Sequence, residues 1–315
     1  PLSTIMKIQY DPKNTIIDID YREEMQSRDT IPDDYHCECN YCRDNFLGEV
    51  YHTSSDNYYT QYSRNKWYID KDNPKDKHIC PGHWSGYRYA VHKFTKPGDW
   101  VLDPTVGTGT AVVESMISGR NGVGIELEYS HITRRTVDLQ NKEKRATGEG
   151  HIFEGDARDC EEILTKEGFQ KESFDMIING TPYPVLGGRQ SDSPPRNSPK
   201  SPNTKNIYYE NDKNVGVLSG ENYWNTVRQI YQSSIEYLKP GGKFITLIKD
   251  PTQKKQAFLL HKMVTDVVME SNDMKYVGSF IHRHMPYTLF MRTYLKMYPE
   301  VKLPLFQTGI VLEKN

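Results

Sequence analysis

From Asp99 onward, apolar and polar positions follow a regular rhythm. Seven apolar runs of four to eight residues recur: "WVLD", "GVGIE", "HIFEG", "FDMIING", "KFITLIKD", "YVGSFIH" and "TGIVLE". That is the length of a strand. Between the first five lie longer stretches with helical spacing, at Thr110–Ser118, Ser130–Lys144, Cys160–Glu167 and Tyr223–Leu238. Strands separated by helices predict βαβ units and an α/β fold with a mostly parallel seven-stranded sheet. "LKPGGKF" (Leu238–Phe244) predicts a helix stop, a tight turn and a strand start.

The rhythm is missing in two places. Residues 1–95 are polar and Tyr-rich, as in "SSDNYYTQYSRNKWYIDKDNPKDKH", and predict an irregular N-terminal segment ahead of a domain at 96–315. Gly187–Asn206 is rich in Gly, Ser, Pro and Asn and carries Arg189, Arg196, Lys200 and Lys205 against Asp192. A long loop of this kind inside a domain points to function or mobility, and residues 185–222 are expected to form a mobile region.

Composition narrows the picture. The net charge of −2 gives no global basic field, so nucleic acid would have to meet a local patch. Tyrosine is over-used, 22 against 10 Phe, which suits a wet recognition surface. No stretch approaches the roughly 20 apolar residues of a membrane span, and the first residues lack a signal-peptide core. A soluble, intracellular protein is expected. Four of the five cysteines lie between Cys37 and Cys80, a spacing that favours a metal site over a disulfide frame.

"DWVLDPTVGTGTAVVE" (Asp99–Glu114) places Gly107 and Gly109 at the exit of a buried strand. Ligands of open parallel sheets bind outside the carboxyl ends of strands, and glycine lets the backbone approach a ligand closely. The next two strands end at Glu126 and just before Asp156. Acids on successive strand ends suit a nucleoside. There is no P-loop lysine and no six-residue dinucleotide fingerprint, so a phosphate chain is not expected.

The series "PGDWVLDPTVGTGT…GVGIELE…GDAR…FDMIINGTPYP…YLKPGGKFITLIKD" resembles the S-adenosylmethionine-dependent DNA amino-methyltransferases, which methylate cytosine N4 or adenine N6. The resemblance runs from about Cys80 to the C-terminus. It implies a Rossmann-like methyltransferase fold with helices on both faces of the sheet. It also implies a cofactor loop made by Asp103, Pro104, Thr105, Gly107, Gly109 and Thr110, a ribose acid at Glu126, and an adenine site at Asp156 and Ala157. Thr105 stands where the family usually has Phe.

In the same comparison "NGTPYP" (Asn179–Pro184) is the catalytic turn, with Asn179, Thr181, Pro182 and Tyr183 as its working residues. An exocyclic amino nitrogen is a poor nucleophile because its lone pair is shared with the ring. The turn must accept its N–H groups while an aromatic ring stacks on a base flipped from the duplex. This turn departs from the family pattern. Either Gly180 fills the polar place and Thr181 the first proline place, or Thr181 is the polar residue and one proline is missing. Tyr183 is the stacking residue in both. The acceptor stays open among Asn179, Thr181 and main-chain carbonyls, and Thr181 leans the expectation to cytosine N4 over adenine N6. An RNA guanosine-N2 methylase and a catalytically inactive nucleic-acid-binding relative are the alternatives.

Cys39 with Cys42, and Cys80 with His83, have zinc-knuckle spacing and predict a structural zinc site, with Cys37 as the alternative to His83. Candidate DNA contacts are the basic loop at 187–206, Lys254 with Lys255, and the stretch at 281–302 with His282, Arg283, His284, Arg292 and Lys296. The resemblance implies DNA as partner, a cognate restriction endonuclease as a second one, and a place in the cytoplasm or on the nucleoid.

Overall fold

Every apolar run singled out in the sequence is a strand. The computed structural model describes residues 84–184, 211–253, 256–257, 259–283 and 306–315, with short strands at 5–7, 9–10, 16–17 and 46–51. Two strands ahead of helix α1 (Trp84–Phe94) join the main sheet, β1 (Ile5–Lys7) and β2 (Phe46–Tyr51), while Gln9–Tyr10 and Ile16–Ile17 pair with each other. Then the alternation begins: β3 (Trp100–Asp103), α2 (Thr110–Ile117), β4 (Asn121–Glu126), α3 (Ser130–Lys142), β5 (Gly150–Glu154), α4 (Cys160–Lys166) and β6 (Phe174–Asn179). It continues through α5 (Gly220–Ile235), β7 (Leu238–Ile248), α6 (Leu260–Met269), β8 (Met274–Arg283) and β9 (Phe306–Lys314).

The strand order is β1-β2-β8-β9-β7-β6-β3-β4-β5. All neighbours are parallel except β9, which runs against both β8 and β7. The seven expected strands form a contiguous block from β8 to β5, and β1 and β2 extend its edge. The chain steps outward from β3 to β4 to β5, then returns to the other side of β3 as β6. The carboxyl ends of β3 and β6 therefore flank a switch point, where crossovers diverge and leave a crevice.

Alternating side chains split the core between two faces, as the pleat requires. Leu102, Phe244 and Leu312 pack with α4, α5 and α6. Their chain neighbours Val101, Ile245 and Val311 pack with α1 on the other face, where Ala111 of α2 joins them. The rest of α2 packs on Val137 of α3 and on Ile152. Each fully buried Leu, Ile or Val contributes roughly 1.5–3 kcal/mol.

α1 was not anticipated within residues 1–95. α1 hides its helical pattern because its buried face carries Tyr87, Arg88 and Tyr89 beside Trp84, Ala90 and Val91. Arg88 donates to Glu114 of α2 at 2.8 Å, and both side chains are completely enclosed. α6 was also not anticipated. The expected helix at Tyr223–Leu238 starts earlier and ends at Ile235. "LKPGGKF" is not a clean helix stop and strand start, since β7 already begins at Leu238. Phe174 pairs with Leu238 but Met176 pairs with Lys243, so the Pro-Gly-Gly turn is a bulge inside the strand, with Gly241 at φ +76°. Of the region expected to be mobile, 185–210 lies outside the described residues; 211–222 contains a short 3-10 turn at Val215–Val217 and the start of α5.

Candidate active site

The glycine turn, the acids and the aromatic turn converge on the switch point. β3 delivers Asp103, whose carboxylate accepts the Thr105 N–H at 3.1 Å. The turn is locked from several sides. The Val106 N–H donates to the Ile125 carbonyl at 3.1 Å, and the Thr133 hydroxyl donates to the Gly107 carbonyl. Gly107 (φ 53°) and Gly109 (φ 87°) take the left-handed conformation that glycine adopts without strain. A Cβ at Gly109 would lie 3.0 Å from Thr133 Cγ2. The first helical turn of α2 thus opens directly above Asp103.

Asp103 is buried, and burial pushes its carboxyl up to about 8, with the nearby Glu126 adding to the rise and the Thr105 N–H opposing it. Glu126 ends β4. Its Oε1 accepts the N–H groups of Glu128 at 3.0 Å and Tyr129 at 3.2 Å. Burial raises its pKa despite these bonds. An open depression of about 590 Å³ lies beside it, lined by Leu127, Glu128, Tyr129, Asn211 and Asp212. Asn214 Nδ2 donates to Glu128 at 2.9 Å and holds this return segment to the rim.

Asp156 caps the short 3-10 turn that begins at Ala157, accepting the Arg158 N–H at 3.0 Å. The Arg158 guanidinium also grips both carboxylate oxygens. Burial alone would raise this carboxyl, but Arg158 outweighs it and holds it below the usual range. Sequence reasoning did not single out Arg158, although its place two residues along was a local signal.

At the end of β6, Asn179 and Thr181 point inward. Asn179 is 0% exposed, and its Nδ2 donates to the Tyr231 hydroxyl at 3.0 Å. The Tyr231 hydroxyl also bonds to Thr181 Oγ1. The Pro182 carbonyl accepts from the Tyr223 hydroxyl at 2.7 Å. Burial raises the pKa of both phenols, so both stay neutral. Tyr183 does the reverse: it is 43% exposed, the large apolar side chain that stays open among the described residues. The turn is therefore held from below by α5 and offers one ring to solvent. Tyr223 and Tyr231 come from α5 and Tyr87 from α1, and none of the three was named as a site residue from the sequence.

The remaining expectations fall elsewhere. Cys37, Cys39, Cys42, Cys80 and His83 lie outside the described residues, as do the basic loop at 187–206, Lys254, Lys255 and residues 284–302. Among the described residues no group of three or more His, Cys, Asp or Glu is placed to hold a metal. Cys160, the remaining cysteine, is buried, and burial pushes its thiol up to about 12. His282 is buried at the end of β8, with its Nδ1 3.0 Å from Gln307 Oε1, so it does not join a nucleic-acid surface. No described helix is long and apolar enough to cross a membrane.

Residues 6–135 match the family model N6_N4_Mtase, described as DNA methylase. Three curated proteins match over shorter stretches. Type II methyltransferase M.MthZI of Methanothermobacter thermautotrophicus is 42% identical over 40 residues, 13% of this chain and 11% of that protein. Type II methyltransferase M.XycI of Xanthomonas campestris pv. cyanopsidis is 40% identical over 55 residues, 18% of each. Type II methyltransferase M2.DpnII of Streptococcus pneumoniae is 44% identical over 50 residues, 15% of this chain and 19% of that protein. Each match spans less than a fifth of the relative's length. Among solved structures, P. horikoshii TYW2 in complex with MeSAdo aligns at a TM-score of 0.41 and 13% identity, over 75% of this chain and 64% of that one. The family match takes in Gly107, Gly109 and Glu126 and ends before Asn179.

Proposed function

We propose that this chain is a DNA methylase of the N6/N4 family, one that transfers a methyl group from S-adenosylmethionine to the exocyclic amino group of a flipped base. The observation that carries the reading is the pairing at the switch point of an enclosed acidic glycine turn with an exposed aromatic ring on the neighbouring strand. The first suits a nucleoside with a cationic tail, and the second suits an unstacked base.

The residues present fit the cofactor. Asp103 is a buried carboxyl with no cationic partner among the described residues, and a methionyl ammonium would supply one. Thr105 Oγ1 is buried without a hydrogen-bond partner among the described residues. Gly107 and Gly109 keep the backbone bare where a ligand would lie. Glu126 accepts the N–H groups of Glu128 and Tyr129 through Oε1 and a further one from Gly107 of the glycine turn, which aims its carboxyl at the place a ribose would take. Asp156 is occupied by Arg158, so it would meet an adenine ring as part of an ion pair rather than as a free carboxylate. When bound, S-adenosylmethionine supplies an electrophilic methyl group on a sulfonium sulfur.

The chain's own contribution is placement. Tyr183 stacks on the base and fixes its plane. Asn179 and Thr181, tied together through Tyr231, keep the turn rigid where the family's first proline is missing. Main-chain carbonyls of the turn accept amino N–H bonds and keep electron density on nitrogen. Aligning nitrogen, methyl carbon and sulfur supplies most of the acceleration, since effective molarities for well-oriented groups reach roughly 10⁵–10⁸ M.

Cytosine N4 is the preferred acceptor, on the strength of the Thr-containing turn, with adenine N6 as the other outcome. Tritium-labelled methyl transfer to unmethylated DNA, followed by nucleoside analysis, decides between them. Label in N4-methylcytosine is the expected result, and label in N6-methyladenine reverses the base assignment. Transfer to tRNA alone overturns the DNA reading.

A further inference from the structure

We propose that the Tyr87 hydroxyl contacts the amino group of the target base, in the space a side chain at position 180 would otherwise fill. The inference rests on the amino-methylase reading above and names a residue that the catalytic turn itself does not contain.

The first observation is a vacancy in the turn. In one alignment Gly180 occupies the place where the family keeps a polar side chain. A Cβ built on Gly180 would lie 3.0 Å from the Tyr87 hydroxyl oxygen, closer than almost any real Cβ contact. The next atom, the Leu247 carbonyl oxygen, is 3.5 Å away. The phenol oxygen of α1 thus lies just where a side chain at 180 would begin. Gly180 does not have the positive φ that calls for glycine, so the backbone alone does not account for the missing side chain.

The second observation concerns bonding. Three tyrosines surround the turn, and two have spent their hydroxyls on it: Tyr223 on Pro182, and Tyr231 on Asn179 and Thr181. Tyr87 is 7% exposed, and its hydroxyl makes no hydrogen bond among the described residues. Burial foremost, then the neighbouring Asp103, Tyr183 and Tyr231, disfavours its phenolate. The group is therefore a neutral hydroxyl close to both the cofactor acid and the stacking ring. The enclosed Arg88–Glu114 pair, one residue along α1, fixes its position.

A neutral phenol suits an amino-bearing base edge. Its oxygen accepts an N–H of the amino group, and its O–H donates to the adjacent ring nitrogen. Cytosine and adenine both present that pair. In the transfer, the nitrogen lone pair forms the new N–C bond and the C–S electron pair stays on sulfur. The proton shed by nitrogen leaves to water, so Tyr87 orients the amino group without taking its proton.

The test uses the full chain, tritium-labelled S-adenosylmethionine and unmethylated plasmid DNA. Tyr87→Phe is expected to keep its melting temperature and to bind S-adenosylmethionine within about twofold of the parent by calorimetry. Its single-turnover transfer rate is expected to fall on the order of tenfold to a hundredfold, the loss of one oriented hydrogen bond. Gly180→Ser alone should crowd the phenol and slow transfer. In the double variant Tyr87→Phe/Gly180→Ser the new hydroxyl has room, and transfer should recover about tenfold over Tyr87→Phe. Parental transfer rates in Tyr87→Phe, or a double variant no faster than Tyr87→Phe, overturn the inference and leave the methylase reading standing. A parent chain that binds S-adenosylmethionine and methylates no DNA overturns that reading and this inference with it.

Discussion

The two halves of the rim are built differently. On the cofactor side, at the ends of β3, β4 and β5, the groups come from short local motifs: a glycine turn after Asp103, an acid closing β4, and a 3-10 cap at Asp156. Glu126 and Asp156 are held by N–H groups two or three positions on and by Arg158, and the glycine turn is tied to the next strand and helix through Ile125 and Thr133. On the base side, at the end of β6, the turn is local but its support is not. Tyr87 comes from α1, some 90 residues upstream of the turn, and Tyr223 and Tyr231 come from α5, about 40 to 50 residues downstream. A cofactor common to many reactions can be held by a transferable local motif. A particular base has to be held by a shape assembled from distant parts.

The largest expected effect tests whether the halves are mechanically joined. Arg88 and Glu114 form an enclosed ion pair between α1, which carries Tyr87, and α2, which follows the glycine turn. Removing one partner strands a buried charge, at a cost of about 3–5 kcal/mol. Glu114→Ala should lower the denaturant midpoint of unfolding accordingly and weaken both cofactor binding and transfer. A change under about 1 kcal/mol would mean that the halves are not coupled through this pair.

Tyr183→Ala should separate them cleanly. Base–aromatic stacking is worth about 1–3 kcal/mol, so transfer to DNA should slow roughly tenfold to a hundredfold. The ring is half open, so stability and calorimetric binding of S-adenosylmethionine should stay near those of the parent. Gly109→Ala should do the opposite. A non-glycine residue in the left-handed region costs about 1–2 kcal/mol, and the added Cβ meets Thr133 at 3.0 Å. Cofactor dissociation constants should rise about tenfold or more, while transfer at saturating cofactor is largely retained.

A pH dependence is expected on the cofactor side alone. In the folded chain Asp103 keeps its proton up to about pH 8, whereas an unfolded Asp loses it near ~3.9. Between those values folding takes up a proton, so stability without cofactor falls as pH rises from about 4 towards 8. Glu126, also raised by burial, adds to the same slope. Melting temperatures measured from pH 5 to 8 should decline less steeply in Asp103→Asn than in the parent. Equal slopes would show that Asp103 is not the group responsible.

The same contrast explains what could be read from the chain alone. All seven strands and four helices between them follow from apolar periodicity, because a βαβ alternation writes its pattern locally. The glycine turn, Glu126, Asp156 and Tyr183 were legible for the same reason, since each sits at a strand exit. α1 was not, because Tyr87, Arg88 and Tyr89 stand in its buried face and look polar in a window. Its partner Glu114, 26 positions away, makes Arg88 a core residue. Asn179 was legible as a turn residue, but not its complete enclosure, which depends on Tyr231 arriving from α5. The Pro-Gly-Gly bulge reads as a strand boundary in the sequence because turn residues look alike whether they end an element or kink it.

The account stands on a cofactor and a base meeting at the β3/β6 switch point. Crystals grown with S-adenosylhomocysteine test that most directly. Its amino acid moiety is expected beside Asp103 and the Gly107–Gly109 backbone, with its ribose against Glu126 and its sulfur facing Tyr183. A nucleoside seated away from the carboxyl ends of β3 and β4, or a sulfur turned from Tyr183, would contradict it.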